Sequence, residues 1–171
     1  MWPTVAALTF AFGAVACGGN DKAAEEGAAR KQAAAARREA EPRYRVRFTA
    51  WSAAALQPAL RVSGIFANPS SLDLLMSGDV TTRQQLDVEL RKLRGCSKTV
   101  ERIGKPPARF RPARATAMNA CAHFEAGAAL LDVGLGAAQG GLGPGLLSEA
   151  AGELTKGTQL VGTATNRLPA P

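Results

Sequence analysis

Two apolar series at helical spacing, separated by a glycine and a pair of prolines, constrain this chain more than any other feature. Leu86, Leu90, Leu93, Cys96, Val100 and Ile103 follow one another at intervals of four, three, three, four and three, which puts them on one face of a helix. Gly104 then stops the helix, and Pro106-Pro107 turns the chain. A second helix is expected from near Pro112, with Phe110 just before it and Ala117, Cys121, Phe124, Ala128, Leu131 and Leu135 on one face. The result is an antiparallel helical hairpin whose register can be read. Cys96 and Cys121 are equidistant from position 108.5, inside the Lys105 to Arg109 turn, so the two thiols should face each other at one level. Thr81 or Thr82 is the expected cap of the first of these helices.

The neighbouring stretches read as further helices. In residues 43 to 67, Tyr44, Val46 and Phe48 alternate with Arg45, Arg47 and Thr49 as a strand would. The same stretch places Tyr44, Phe48, Trp51, Ala55, Ala59 and Val62 on one helical face. Length decides for helix, since the apolar pattern runs through Phe66 and no second strand offers itself as a partner; Pro58 should kink it. Asn68-Pro69-Ser70-Ser71 reads as a turn, and Leu72 to Met76 as a helical turn covering one end of the core. Glycines from Gly134 to Gly145 predict a loop. A last helix carries Leu147, Ala151, Leu154, Thr158, Val161 and Leu168 before Pro169. A shift of 30 residues overlays Ala120 on Ala150, Phe124 on Leu154, Gly127 on Gly157 and Leu130 on Leu160, so the last two helices repeat one pattern. Four amphipathic helices joined by short turns predict an all-α, up-and-down four-helix bundle over residues 43 to 171.

Ahead of that domain, Ala14-Val15-Ala16-Cys17-Gly18-Gly19 follows an apolar run from Val5 to Ala16 and is similar to a bacterial lipobox. Ala14 and Ala16 supply the small residues a signal peptidase needs before the cut, and Gly18 to Asp21 give a flexible exit. Ala14 stands where leucine is usual, and no Lys or Arg precedes the apolar run. The competing reading is a short buried helix with a core cysteine. On the lipobox reading, residues 1 to 16 are a lipoprotein signal peptide. Cys17 then carries the lipid, palmitate among its acyl groups, and the rest lies lipid-anchored on the extracytoplasmic face of the cell membrane. No stretch is long and apolar enough for a spanning helix, so residence would depend on more than one acyl chain. Residues 17 to 42 then form a tether of Ala, Glu, Lys, Arg and Gln, with opposite charges four apart at Glu26/Arg30 and Arg37/Glu41. Pro42 is expected to end it. Outside the cytoplasm a Cys96–Cys121 disulfide is permitted, and lipidation of Cys17 leaves no odd cysteine. Two reduced core cysteines are the alternative.

The Leu-x-x-Ala-Ala-x-x-Leu-x-x-Gly-x-x-Leu grammar of Leu147 to Leu160, the Lys105-Pro106-Pro107 turn and the Met118-Asn119-Ala120-Cys121 helix resemble uncharacterised helical-bundle lipoproteins of high-GC Gram-positive bacteria. The resemblance spans residues 80 to 168. It implies an envelope-attached helical domain and carries no catalytic residue over.

Searches for chemistry find little. His123 is the single histidine and lies off the seam set by Cys121 and Phe124, so a flanking side chain is expected rather than a metal ligand. There is no Cys-x-x-Cys, no Glu-x-x-His, no Gly-x-Ser-x-Gly and no phosphate-binding glycine loop, since Gln139 interrupts the spacing. Asp73, Asp79, Asp87 and Glu89 could flank a groove, but solvated helix faces explain them at lower cost. No cofactor, metal or catalytic group is therefore expected. Charge is more informative: the net charge of +7 lies wholly after Cys17, and an exported basic domain is drawn to anionic headgroups, wall polymers or acidic partners rather than nucleic acid. Lys98, Arg102, Lys105, Arg109, Arg111 and Arg114 crowd the second turn, with Glu101 the one acid among them. A solvated Arg-rich tip is the plain reading. An anionic-surface site is the sharper one, because in an up-and-down bundle this turn shares an end with the start of the first helix. The functional expectation is a non-enzymatic binding or surface-scaffold module of the envelope with an unknown protein partner; the alternative is a small-ligand or cofactor carrier with its site in the bundle core.

Overall fold

The computed structural model describes residues 21–136 and 144–170, and every regular element among them is helical. The helices are α1 (Asp21–Ala67), α2 (Pro69–Met76), α3 (Val80–Arg94), α4 (Cys96–Arg102), α5 (Arg111–Gly136) and α6 (Pro144–Asn166), with a 3₁₀ turn at Ala108–Phe110. The lipobox with Cys17 lies outside the described residues, as do 137 to 143. The chain divides into two compact units, residues 1–37 and 38–171.

In the first unit the described residues belong to α1, and their composition explains why. Ala, Glu, Lys, Arg and Gln lose little freedom in a helix, and Glu26 and Arg30 stand 3.8 Å apart as an exposed i,i+4 pair. The side chain of Arg37 lies outside the described residues, so its expected pairing with Glu41 does too.

In the second unit, the segment read either as strand or as helix is helical. Tyr44, Phe48, Trp51, Ala59 and Val62 are buried along one face of α1. Pro42 does not end the helix, as composition suggested; α1 runs through both Pro42 and Pro58. A proline removes one backbone hydrogen bond and clashes one turn back, and here the aromatic face that begins at Tyr44 keeps the chain helical across the defect. Asn68 caps α2 by accepting from Ser70 N (3.0 Å), with Pro69 in the first turn. α2 therefore starts at the stretch expected to be a turn, and it buries Leu75.

Helix α3 is capped by Asp79, not by Thr81 or Thr82: Asp79 Oδ2 accepts from Thr82 N at 2.7 Å. The seam Leu86, Leu90, Leu93, Cys96, Val100 and Ile103 is buried throughout, yet the helix is broken at Gly95 into α3 and α4. Gly95 N–H is shared between the carbonyls of Arg91 and Lys92, both at 3.2 Å, and the new helix start is satisfied from another element, by Glu125 Oε1 accepting from Ser97 N at 3.0 Å. Gly104 closes α4 at φ +99, a left-handed conformation that glycine adopts without steric cost.

The glycine-rich loop is shorter than its composition suggested, since Gly134 and Gly136 belong to α5 and Pro144 and Gly145 to α6. On α6 Leu154 and Val161 are buried as expected and Leu147 and Leu168 pack partly buried against the core, but Ala150, Gly157 and Ala164 complete the buried face in place of Ala151, which is exposed, and Thr158. Small residues decide this face because the two backbones approach closely. A Cβ on Gly127 would lie 3.2 Å from Ala150 O, and one on Gly157 would lie 3.2 Å from Ala120 O. The 30-residue repeat is thus a reciprocal fit, with the glycine of each helix lying against the alanine and the large side chain of the other.

One buried charge ties α1 to α3. Glu89 is 6% exposed, and its carboxylate accepts from Arg61 Nη1 at 2.8 Å and Lys92 Nζ at 3.0 Å. It is therefore not the solvated acid expected from sequence. Burial by itself would raise the Glu89 carboxyl, but the hydrogen bonds from Lys92 and Arg61 outweigh it and hold the group below its ordinary value. A depressed folded value gives stability that is full above the ordinary carboxyl value of 4.5 and is lost as pH falls through the folded one. Glu89→Gln should destabilise by ~1 kcal/mol at pH 7, discounted because both cations are half-exposed. Thermal unfolding of both proteins against pH should show the gap closing below about 4.5, the ordinary value of the group.

Candidate functional site

The end of the second unit where α1 enters is built by aromatic stacking. Tyr44 meets Phe110 edge-on with ring centres 5.2 Å apart, and Phe48 and Trp51 follow with centres 5.2 Å apart. This seats the turn between α4 and α5 beside residues 41 to 51. Arg109 pairs with Glu41 at 3.3 Å, and the Arg45 guanidinium stacks 5.7 Å from the Phe110 ring centre while donating to Pro169 O. Arg114 donates to Gly104 O, closing the turn, and its charge opposes the effect of burial on Tyr44; burial prevails and raises the phenol. Arg167 donates to Thr116 Oγ1 at 2.7 Å.

The six cations singled out from sequence thus fall into two groups. Arg109 and Arg114 are engaged in holding the turn. Lys98, Arg102, Lys105 and Arg111 are exposed and have no acidic partner among the described residues. Sequence reasoning missed that Arg43, Arg45 and Arg47 stand at the same end. The signal was present: residues just after the tether meet the second turn in an up-and-down arrangement, so the Arg-x-Arg-x-Arg run before Phe48 belongs with it.

Cys96 and Cys121 are joined in the structure with Cα atoms 5.2 Å apart, linking α4 to α5 at the level set by their distances from the turn. His123 Nδ1 lies 2.6 Å from Glu153 Oε2, across α5 and α6, and Lys156 Nζ lies 2.9 Å from Glu153 Oε1. These hydrogen bonds, from His123 first and then Lys156, hold the Glu153 carboxyl below its ordinary value. Among the described residues no three His, Cys, Asp or Glu side chains converge as a metal site would require. No helix among them is long and apolar enough to cross a membrane.

Among the described residues, a cavity of about 650 Å³ forms a groove between α1 and the α3–α4 rod rather than a pocket in the core. Trp51, Pro58, Leu93, Cys96 and Ile103 form its buried floor. The exposed side chains of Arg47, Arg91, Lys92, Lys98 and Arg102 stand on its rim, and no acid lines it. Phe48 and Phe124 are fully buried and do not line it. Lys98 and Arg102 belong both to the groove and to the basic end. Such an arrangement can bind and orient an anion beside an apolar surface; it offers no nucleophile with an adjacent base.

No protein-family model, curated protein sequence or solved structure matches this chain.

Proposed function

We propose that this chain is a lipid-anchored, non-enzymatic binding module on the extracytoplasmic face of a bacterial cell membrane: an up-and-down four-helix bundle held on a polar helical tether attached through Cys17. The lipobox residues support the anchor. The observation that carries the binding role is the gathering of unpaired cations, Lys105 and Arg111 foremost, at the end of the second unit where the chain enters it near Arg38. Wherever the tether leads, its attachment point on this unit is beside the basic turn, as the Arg109–Glu41 pair requires. Anionic headgroups or wall polymers suit such a surface, and an acidic envelope protein is the macromolecular partner of the same chemistry.

Each cation near an anionic bilayer contributes on the order of 1 kcal/mol. Replacing Lys105 and Arg111 with serine should therefore weaken binding of residues 18–171 to phosphatidylglycerol vesicles by roughly 2 kcal/mol, about thirtyfold, with no change on phosphatidylcholine. Co-sedimentation measures it. Unchanged binding by the double variant would remove the docking role.

The small-ligand reading gains support from the groove, which has a size usual for ligand sites. It belongs on the flank of the bundle, not in the core.

A further inference from the structure

The geometry points to the groove between α1 and α3–α4 as a site for one single-chain anionic amphiphile of the fatty-acid class, its acyl chain on the Trp51–Leu93–Ile103 floor and its carboxylate among the rim cations. This goes beyond surface docking and needs neither the anchor nor the tip of the turn.

Three properties of the groove select that ligand. Its floor is apolar and buried, and small side chains at Ala50, Ala54 and Gly95 leave the slot open where larger ones would fill it. Its rim is cationic without compensation: Lys92 is shared with Glu89, whereas Arg47, Arg91, Lys98 and Arg102 have no acidic partner among the described residues. A solvated helix face normally mixes signs, so a ring of one sign around an apolar slot is complementary to an anion with an apolar tail.

Size decides between candidates. The groove's volume of about 650 Å³ lies within the range usual for a site that takes one small ligand. A two-chain lipid would leave one chain in water. A single acyl chain is slim enough to enter, and each methylene it buries contributes favourably.

The test uses the full chain in solution, without lipid, irradiated with a diazirine-bearing hexadecanoic acid at a concentration too low for micelles, with labelled peptides mapped by mass spectrometry. Labels should fall within residues 47–58 and 91–103 and be competed by hexadecanoic acid at least tenfold better than by hexadecanol or inorganic phosphate. Ala54→Trp, an exposed change that fills the slot, should cut labelling at least fivefold, and Lys98→Glu with Arg102→Glu about tenfold, both with unchanged helix content. Labels elsewhere, equal competition by hexadecanol, full labelling of Ala54→Trp, or competition only by an acidic amphipathic peptide would each overturn the assignment. Lys105→Ser with Arg111→Ser should leave groove labelling intact whatever it does to vesicle binding, so the two roles fail separately.

Discussion

Gly157→Val should destabilise the second unit by about 3 kcal/mol or more, lowering its thermal midpoint by roughly 10 °C. The prediction follows from the α5–α6 contact. A Cβ at position 157 would stand 2.5 Å from Phe124 Cδ1 and 2.6 Å from Cε1, with Ala120 O at 3.2 Å. Phe124 is fully buried and cannot swing aside, and the carbonyl belongs to a helix. Valine adds two methyl groups to that clash. Helix propensity acts the other way, because glycine is the poorer helix former by up to ~1 kcal/mol, but overpacking costs more. Gly152 supplies the control on the same helix: nothing lies within 4 Å of a Cβ there, so Gly152→Ala should stabilise by ~0.5–1 kcal/mol. Thermal unfolding of the two variants should move in opposite directions. If Gly157→Val matches Gly152→Ala, the helices do not meet in this register.

Loss of the Cys96–Cys121 link should cost about 3 kcal/mol in the chain-entropy model, for a sequence separation of 25. The bond joins α4 to α5 across a turn already closed by the Arg114 contact with Gly104 and by Phe110. Its effect should therefore appear as lower stability of the same fold, not as a different one. Urea unfolding with and without a reductant measures it. The oxidised protein should have the higher midpoint, and Cys96→Ala/Cys121→Ala should match the reduced protein and be indifferent to reductant. A wild-type chain that binds two equivalents of alkylating reagent before reduction would show that the bond does not form, and with it the export argument would lose a support.

The all-helical class was legible because apolar residues recur at three and four along residues 44 to 161, a period that a strand cannot satisfy. Helix ends were less legible, and the reasons are local. Pro42 signals termination and Pro58 a kink, yet α1 runs through both and its apolar face continues past them. Gly95 signals nothing in a seam that runs through it, yet the helix restarts there, with Ser97 N–H satisfied by Glu125 from another helix. On α6 the large residues Leu154 and Val161 mark the buried face in the sequence, whereas Ala150 and Gly157 join it because α5 approaches closely there, which small residues do not advertise. Of the basic site, the cluster at the turn was visible as a run, whereas Arg45 and Arg47 join it only through topology. The groove was not legible at all: it depends on small residues of α1 facing α3 and α4 across some fifty positions of sequence, a distance that no local pattern reports.

On the proposed function the mature protein is a lipid-anchored domain with its cysteines oxidised. The deciding measurement is the intact mass of the protein from the membrane fraction of the cells that make it, before and after reduction. The account predicts a chain beginning at Cys17 with acyl groups attached, gaining two hydrogens on reduction. A soluble chain that retains Met1 and carries free thiols at Cys96 and Cys121 would contradict it.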